Sequence, residues 1–151
     1  MNRMQILIHY LYTSTIVVLT TLFGKHWLLF MIYLLLNILD TITGWSRAKI
    51  SKTLNSRTGF KGVVNKIGCW MLLLIGFLIP ICFKELGQII HIDLTITVYL
   101  GWFILASLMV NELRSIIENL VEIGVKVPTI LINGLEVVAQ KLDEKNNNKK
   151  G

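Results

Sequence analysis

Four runs of seventeen or eighteen residues, nearly free of charge, constrain this chain more than anything else in it. They are ILIHYLYTSTIVVLTTLF (6–23), WLLFMIYLLLNILDTITG (27–44), IGCWMLLLIGFLIPICF (67–83) and LTITVYLGWFILASLMV (94–110). Asp40 is the sole Asp, Glu, Lys or Arg within them. A helix needs about 20 mostly apolar residues, with a range of about 17–25, to cross a hydrocarbon core. Each run is at the short end of that range. The first is the weakest, because His9 and several Ser and Thr dilute it, so three spans is the alternative to four. It also exceeds a usual signal-peptide core and lacks a clear A-x-A-like cleavage site, which makes it a retained helix.

Composition supports a lipid environment. Hydrophobic residues make up 54% of the 151 and charged residues only 16%, against roughly a quarter charged in a typical soluble domain. The net charge of +6 does not indicate a nucleic-acid module, which carries its Lys and Arg on a water-soluble scaffold. Cys69 and Cys82 lie in one apolar run, roughly 20 Å apart along a helix. That exceeds the span of a disulfide, so both are expected to be free thiols.

The connector 45–66 holds Arg47, Lys49, Lys52, Arg57, Lys61 and Lys66 and no acid. Short cytoplasmic loops are enriched in Lys and Arg, so this connector is expected in the cytoplasm. With four spans, both termini then face the cytoplasm too. Gly59 and Gly62 suggest backbone turns. The cations are topology signals, and they are also able to lie against anionic headgroups.

Beyond Val110 the chain becomes amphipathic. Ile116, Leu120, Ile123 and Val127 recur at helical steps, and Leu131, Leu135, Val138 and Leu142 repeat them. Pro128, between the two sets, should interrupt or kink the helix. The apolar face is expected at the membrane interface or against neighbouring subunits, with folding back on its own bundle as the alternative. Residues 143–151 read as a disordered tail. The fold expected is thus an all-α integral membrane protein: spans within 1–110, amphipathic helices over 111–142, then the tail.

No catalytic or metal-binding pattern emerges, and no cofactor is expected. His9, His26 and His91 have no metal-ligand spacing. Glu112, Glu118 and Glu122 are spaced like the solvated face of a helix. Asp40, near the end of the second run, needs a cation at that depth. Arg47 and Lys49 are the nearest in sequence. Its role is either a static interfacial anchor or a pivot whose pairing changes during assembly. His9, Thr13 and Thr20 fall roughly on one face of the first helix. They would line an aqueous path in an oligomer, or else make ordinary interhelical hydrogen bonds.

Two stretches carry a family resemblance. In LDTITGWSRAKISKTLNSRTGFKGVVNKIG, it rests on Asp40, Gly44, Ala48, Lys49, Ser56, Gly59, Lys61, Gly62 and Lys66; in NELRSIIENLVEIGVKVP, on Asn111, Glu112, Ser115, Glu118, Asn119, Gly124 and Pro128. Together they resemble a phage holin family that includes clostridial toxin-secretion holins. The resemblance implies a small, non-enzymatic protein of the bacterial cytoplasmic membrane that self-associates and opens lesions for an endolysin or a toxin. It leaves open an antiholin partner. The rival expectation is a non-lytic membrane adaptor or transporter accessory subunit, recruiting a cytosolic partner through its C-terminal helix.

Overall fold

A computed structural model describes residues 3–147, with the side chains of 18–23, 25, 146 and 147 outside the description. All regular structure among the described residues is helical: α1 (Arg3–Phe23), α2 (Trp27–Ile50), α3 (Ser56–Ile90), α4 (Val98–Glu122) and α5 (Thr129–Asn147), with short 3-10 turns at Gly24–His26 and Thr95–Thr97. Three of these are long and apolar enough to cross a membrane: α2, α3, and α4 with the turn before it. The all-α membrane fold expected from the apolar runs is the one observed.

The chain divides into two compact units, one up to Leu35 and one from Leu36 onward. In the first, Gly24 takes a left-handed φ of 66° between α1 and α2. Three hydroxyls of α1 turn back onto their own helix: Thr13 Oγ1 donates to the His9 carbonyl at 2.8 Å, Ser14 Oγ to that of Leu11 at 3.0 Å, and Thr15 Oγ1 to that of Leu11 at 2.8 Å. Such back-bonding satisfies a hydroxyl without a partner outside its own helix.

In the second unit, α3 and α4 form the main packed pair. Their backbones approach closely at two glycines. A Cβ on Gly101 would lie 2.9 Å from the Gly76 carbonyl oxygen and 2.9 Å from the Phe77 ring, and one on Gly76 would lie 3.2 Å from the Gly101 Cα. Pro80, four residues after Gly76 and buried, has no amide hydrogen to donate to that carbonyl. Phe77 and Trp102 close the contact edge to face, with ring centroids 5.1 Å apart. Large apolar side chains such as Met71, Leu74, Ile75 and Ile81 point outward and are exposed, the inverse of a water-soluble globule. Lipid is the cover they require.

The helices outrun the apolar runs. The connector 45–66 is helical except for residues 51–55. The reversal therefore lies there and not at Gly59 and Gly62, which are inside α3. Lys52 takes a φ of 56°, and the Asn55 side chain caps α3 by accepting from the Arg57 amide at 3.0 Å. With a cap in place, extending the helix costs less than breaking it at each glycine. At the far end, Ile92 N donates to the Gly87 carbonyl at 3.0 Å, and His91 takes the left-handed capping position. In the following loop, the Thr95 hydroxyl and amide donate to Asp93 and hold its carboxyl below its ordinary pKa.

α4 runs unbroken through Val110 and Asn111 to Glu122, joining the fourth apolar run to the first amphipathic set. Gly124, at φ 90°, ends it, and Val125 N donates to the Leu120 carbonyl at 2.9 Å. Pro128 then precedes α5, so it separates two helices. α5 packs back on α4, which realises the fold-back alternative, and it continues to Asn147. Residues 148–151 of the expected tail lie outside the description.

Replacing Gly101 by Val should force α3 and α4 apart, lowering unfolding stability in detergent by about 1–3 kcal/mol. Gly62→Ala has open space around the new methyl and should be neutral or stabilising, by up to about 1 kcal/mol. Equal losses from both would refute the close-approach assignment.

Candidate functional site

Successive antiparallel spans bring the end of α2, the start of α3 and the end of α4 to one level. Asp40 stands ten residues before the end of α2, Lys66 ten residues after the start of α3, and Glu112 ten residues before the end of α4 (50 − 40, 66 − 56 and 122 − 112). At ~1.5 Å per residue each helix projects roughly 15 Å beyond this level. In the other direction α3 carries no charge over the seventeen residues before Lys84, which stands about 27 Å from Lys66 along the helix. That is close to the ~30 Å hydrocarbon thickness. The three charges therefore mark one margin of the apolar slab.

They also meet. Lys66 Nζ lies 3.0 Å from Asp40 Oδ2 and 2.7 Å from Glu112 Oε2. One ammonium thus bridges two carboxylates on two other helices. Glu112 is buried, with 8% of its surface exposed, so it is not on a solvated face as its spacing suggested. Asp40 is paired with Lys66 and not with Arg47 or Lys49. The reason is topological: a cation from the next helix reaches a carboxylate at the same level more directly than one further along the same helix.

A second link joins α2 to α4. The Asn119 side-chain amide donates to Asp40 Oδ1 at 3.1 Å and to Thr43 Oγ1 at 3.2 Å. Asn119 is itself buried, 4% exposed, and a Cβ on Gly44 would rest 3.5 Å from its nitrogen, at ordinary contact. One turn beyond, Arg47 pairs with Glu122 at 3.2 Å. This outer pair is exposed and contributes little, about 0–1 kcal/mol.

The motif residues thus separate into two groups. Asp40, Gly44, Lys66, Glu112 and Asn119 converge, with half-buried Ser115 on the same helix. Lys49, Gly59, Lys61, Gly62 and Glu118 are exposed and stand apart. Lys49 Nζ sits 5.0 Å from the Trp45 ring centroid, within cation–π range. Gly124 and Pro128 shape the link from α4 to α5. His9 and Thr13 are exposed on α1, and the side chain of Thr20 lies outside the description. Sequence proximity missed the Lys66 bridge. Aligning the ends of consecutive spans at a common depth would have found it.

The triad carries two negative charges against one positive, so its members are not equivalent. Lys66→Met leaves two carboxylates facing each other and should cost about 3–5 kcal/mol of stability. Glu112→Gln leaves a neutral Lys66–Asp40 pair and should cost distinctly less. Denaturant or thermal unfolding in detergent checks the order, and a reversed order would refute the shared-cation arrangement.

Comparison with known proteins agrees with the resemblance carried by the two motif stretches. The Bacteriophage holin family matches residues 17–140, a range that includes all of the convergent residues. A probable holin of Bacillus phage phi105 is 35% identical over 112 residues, covering 74% of this chain and 75% of the relative. Two uncharacterized proteins are also similar: YqxH of Bacillus subtilis, 30% identical over 115 residues (76% of this chain, 74% of the relative), and Lmo0128 of Listeria monocytogenes, 32% identical over 123 residues (82% and 80%). No solved structure matches. On this match, which spans most of its length, the chain belongs to the bacteriophage holin family.

Proposed function

We propose that this protein is a holin in action as well as in family: it self-associates in the bacterial cytoplasmic membrane and opens lesions that release an endolysin or a toxin, leading to lysis. The observation that carries the reading is the exposed apolar surface of α2, α3 and α4, helices tied to one another by the Lys66 bridge, in a chain of this family. Such a unit is insoluble except in lipid and pairs the three charges at its margin with one another. It is free to exchange lipid neighbours for copies of itself, because helix association in membranes relies on packing and polar contacts.

In the proposed topology the α2–α3 hairpin lies in the cytoplasm and α1 is a fourth span, so that both termini are cytoplasmic. Exposed Lys49, Lys52, Arg57 and Lys61 support this placement. Each is worth about 1 kcal/mol near an anionic leaflet. Trp45, exposed beside Lys49, suits the headgroup level. The face of α1 bearing His9, Thr13 and Thr20 is the proposed lining of the lesion. No cofactor or turnover is required.

Induced expression in a bacterium should, after a delay, stop growth and collapse the membrane potential abruptly. Continued growth with the protein abundant in the membrane would overturn the holin reading and favour an adaptor. Thr13→Leu with Thr20→Leu should abolish permeabilisation while insertion stays normal. Unchanged dye leakage from that variant would remove α1 from the lining.

A further inference from the structure

The packing of α5 divides its surface in a way that its sequence alone does not reveal. Ile132, Leu135, Ala139 and Leu142 are half-buried on the side that faces α4. A second apolar sector is left uncovered: Ile130 is 81% exposed, Leu131 50%, Val137 50% and Val138 46%. At 100° per residue, these four positions and Gly134 fall within roughly 120° of arc, together with Lys141 and Lys145. The remaining arc holds all three acids of the helix, Glu136, Asp143 and Glu144, with Thr129, Asn133 and Gln140. Each residue from Thr129 to Lys145 falls in one of these three sectors.

From this partition we infer that the uncovered sector of α5 docks on an anionic lipid surface. The charge arrangement selects that occupant. The apolar arc carries two lysines toward its C-terminal end and no acid; Glu136 and Asp143 are turned away, and Glu144 lies just past its edge. Aliphatic side chains entering the acyl boundary, with lysines reaching phosphates beside them, is the binding mode of an interfacial helix. A second copy's cationic α2–α3 hairpin would meet Lys141 and Lys145 with like charge. α5 is thus a strap: one side grips α4, a second grips the bilayer, and the third faces water. This holds whether or not the protein opens lesions.

The test uses the full chain with Cys69→Ser and Cys82→Ser, reconstituted in phosphatidylcholine vesicles with or without phosphatidylglycerol. A polarity-sensitive fluorophore is attached through Val137→Cys or, separately, through Glu136→Cys. The label at 137 should shift to the blue when phosphatidylglycerol is present, while the label at 136 stays at its water-exposed emission. Adding Lys141→Glu and Lys145→Glu should abolish the shift at 137. A label at 137 that stays water-exposed in phosphatidylglycerol vesicles would overturn the inference. So would a blue shift that needs no anionic lipid, or one lost on diluting the protein to a single copy per vesicle, which would assign the sector to a second copy. None of these three failures touches the potential-collapse assay or the holin reading.

Discussion

A carboxylate drawn into the packed margin of a helical bundle needs a counter-charge, and here one ammonium supplies it across three helices. Lys66 is placed by the length of the apolar run that follows it, and Asp40 and Glu112 by the runs that precede them. Their meeting is a consequence of similar span lengths and alternating direction. Lipid gives little to pull helices together, since acyl chains are as apolar as the side chains they touch. Polar bridges of this kind therefore decide which helices are neighbours.

Steric fit supplies what electrostatics does not. Toward the middle of the slab α3 and α4 carry no charge, and they approach through glycines at 76 and 101. Pro80 withholds the donor that would ordinarily serve the Gly76 carbonyl, and the bare backbone of Gly101 lies against that same carbonyl. The bundle is thus joined by charge at one margin and by backbone contact deeper in. Large apolar side chains on its outward surface are left to lipid.

Much of this was legible from residue order. The apolar runs located the helices, and the motif residues included Asp40, Gly44, Lys66, Glu112 and Asn119, though not Thr43. The pairing was not legible, because Lys66 and Glu112 lie 46 positions apart and Asn119 and Asp40 lie 79 apart. Local charge spacing made Glu112 look solvated, since its i+6 and i+10 neighbours are acids too; only the packing of α4 shows that it turns inward. Likewise, the periodic set Leu131, Leu135, Val138 and Leu142 mixes two faces. Leu135 and Leu142 meet α4, and Leu131 and Val138 do not. A helix with two apolar sectors satisfies a single-stripe pattern by drawing from both. The glycines at 59 and 62 suggested a reversal that Asn55 pre-empts a few residues earlier.

The amide of Asn119 has two hydrogens, and both are engaged, one by a carboxylate and one by a hydroxyl three residues along the same helix. Asp40 and Thr43 lie nearly one turn apart on α2, so the pair of contacts works as an angular index. A twist of α2 about its axis, or a slip by a single residue, would lose both together. The side of that helix offered to its surroundings is thereby set in advance, so in the proposed assembly each copy would present the same face.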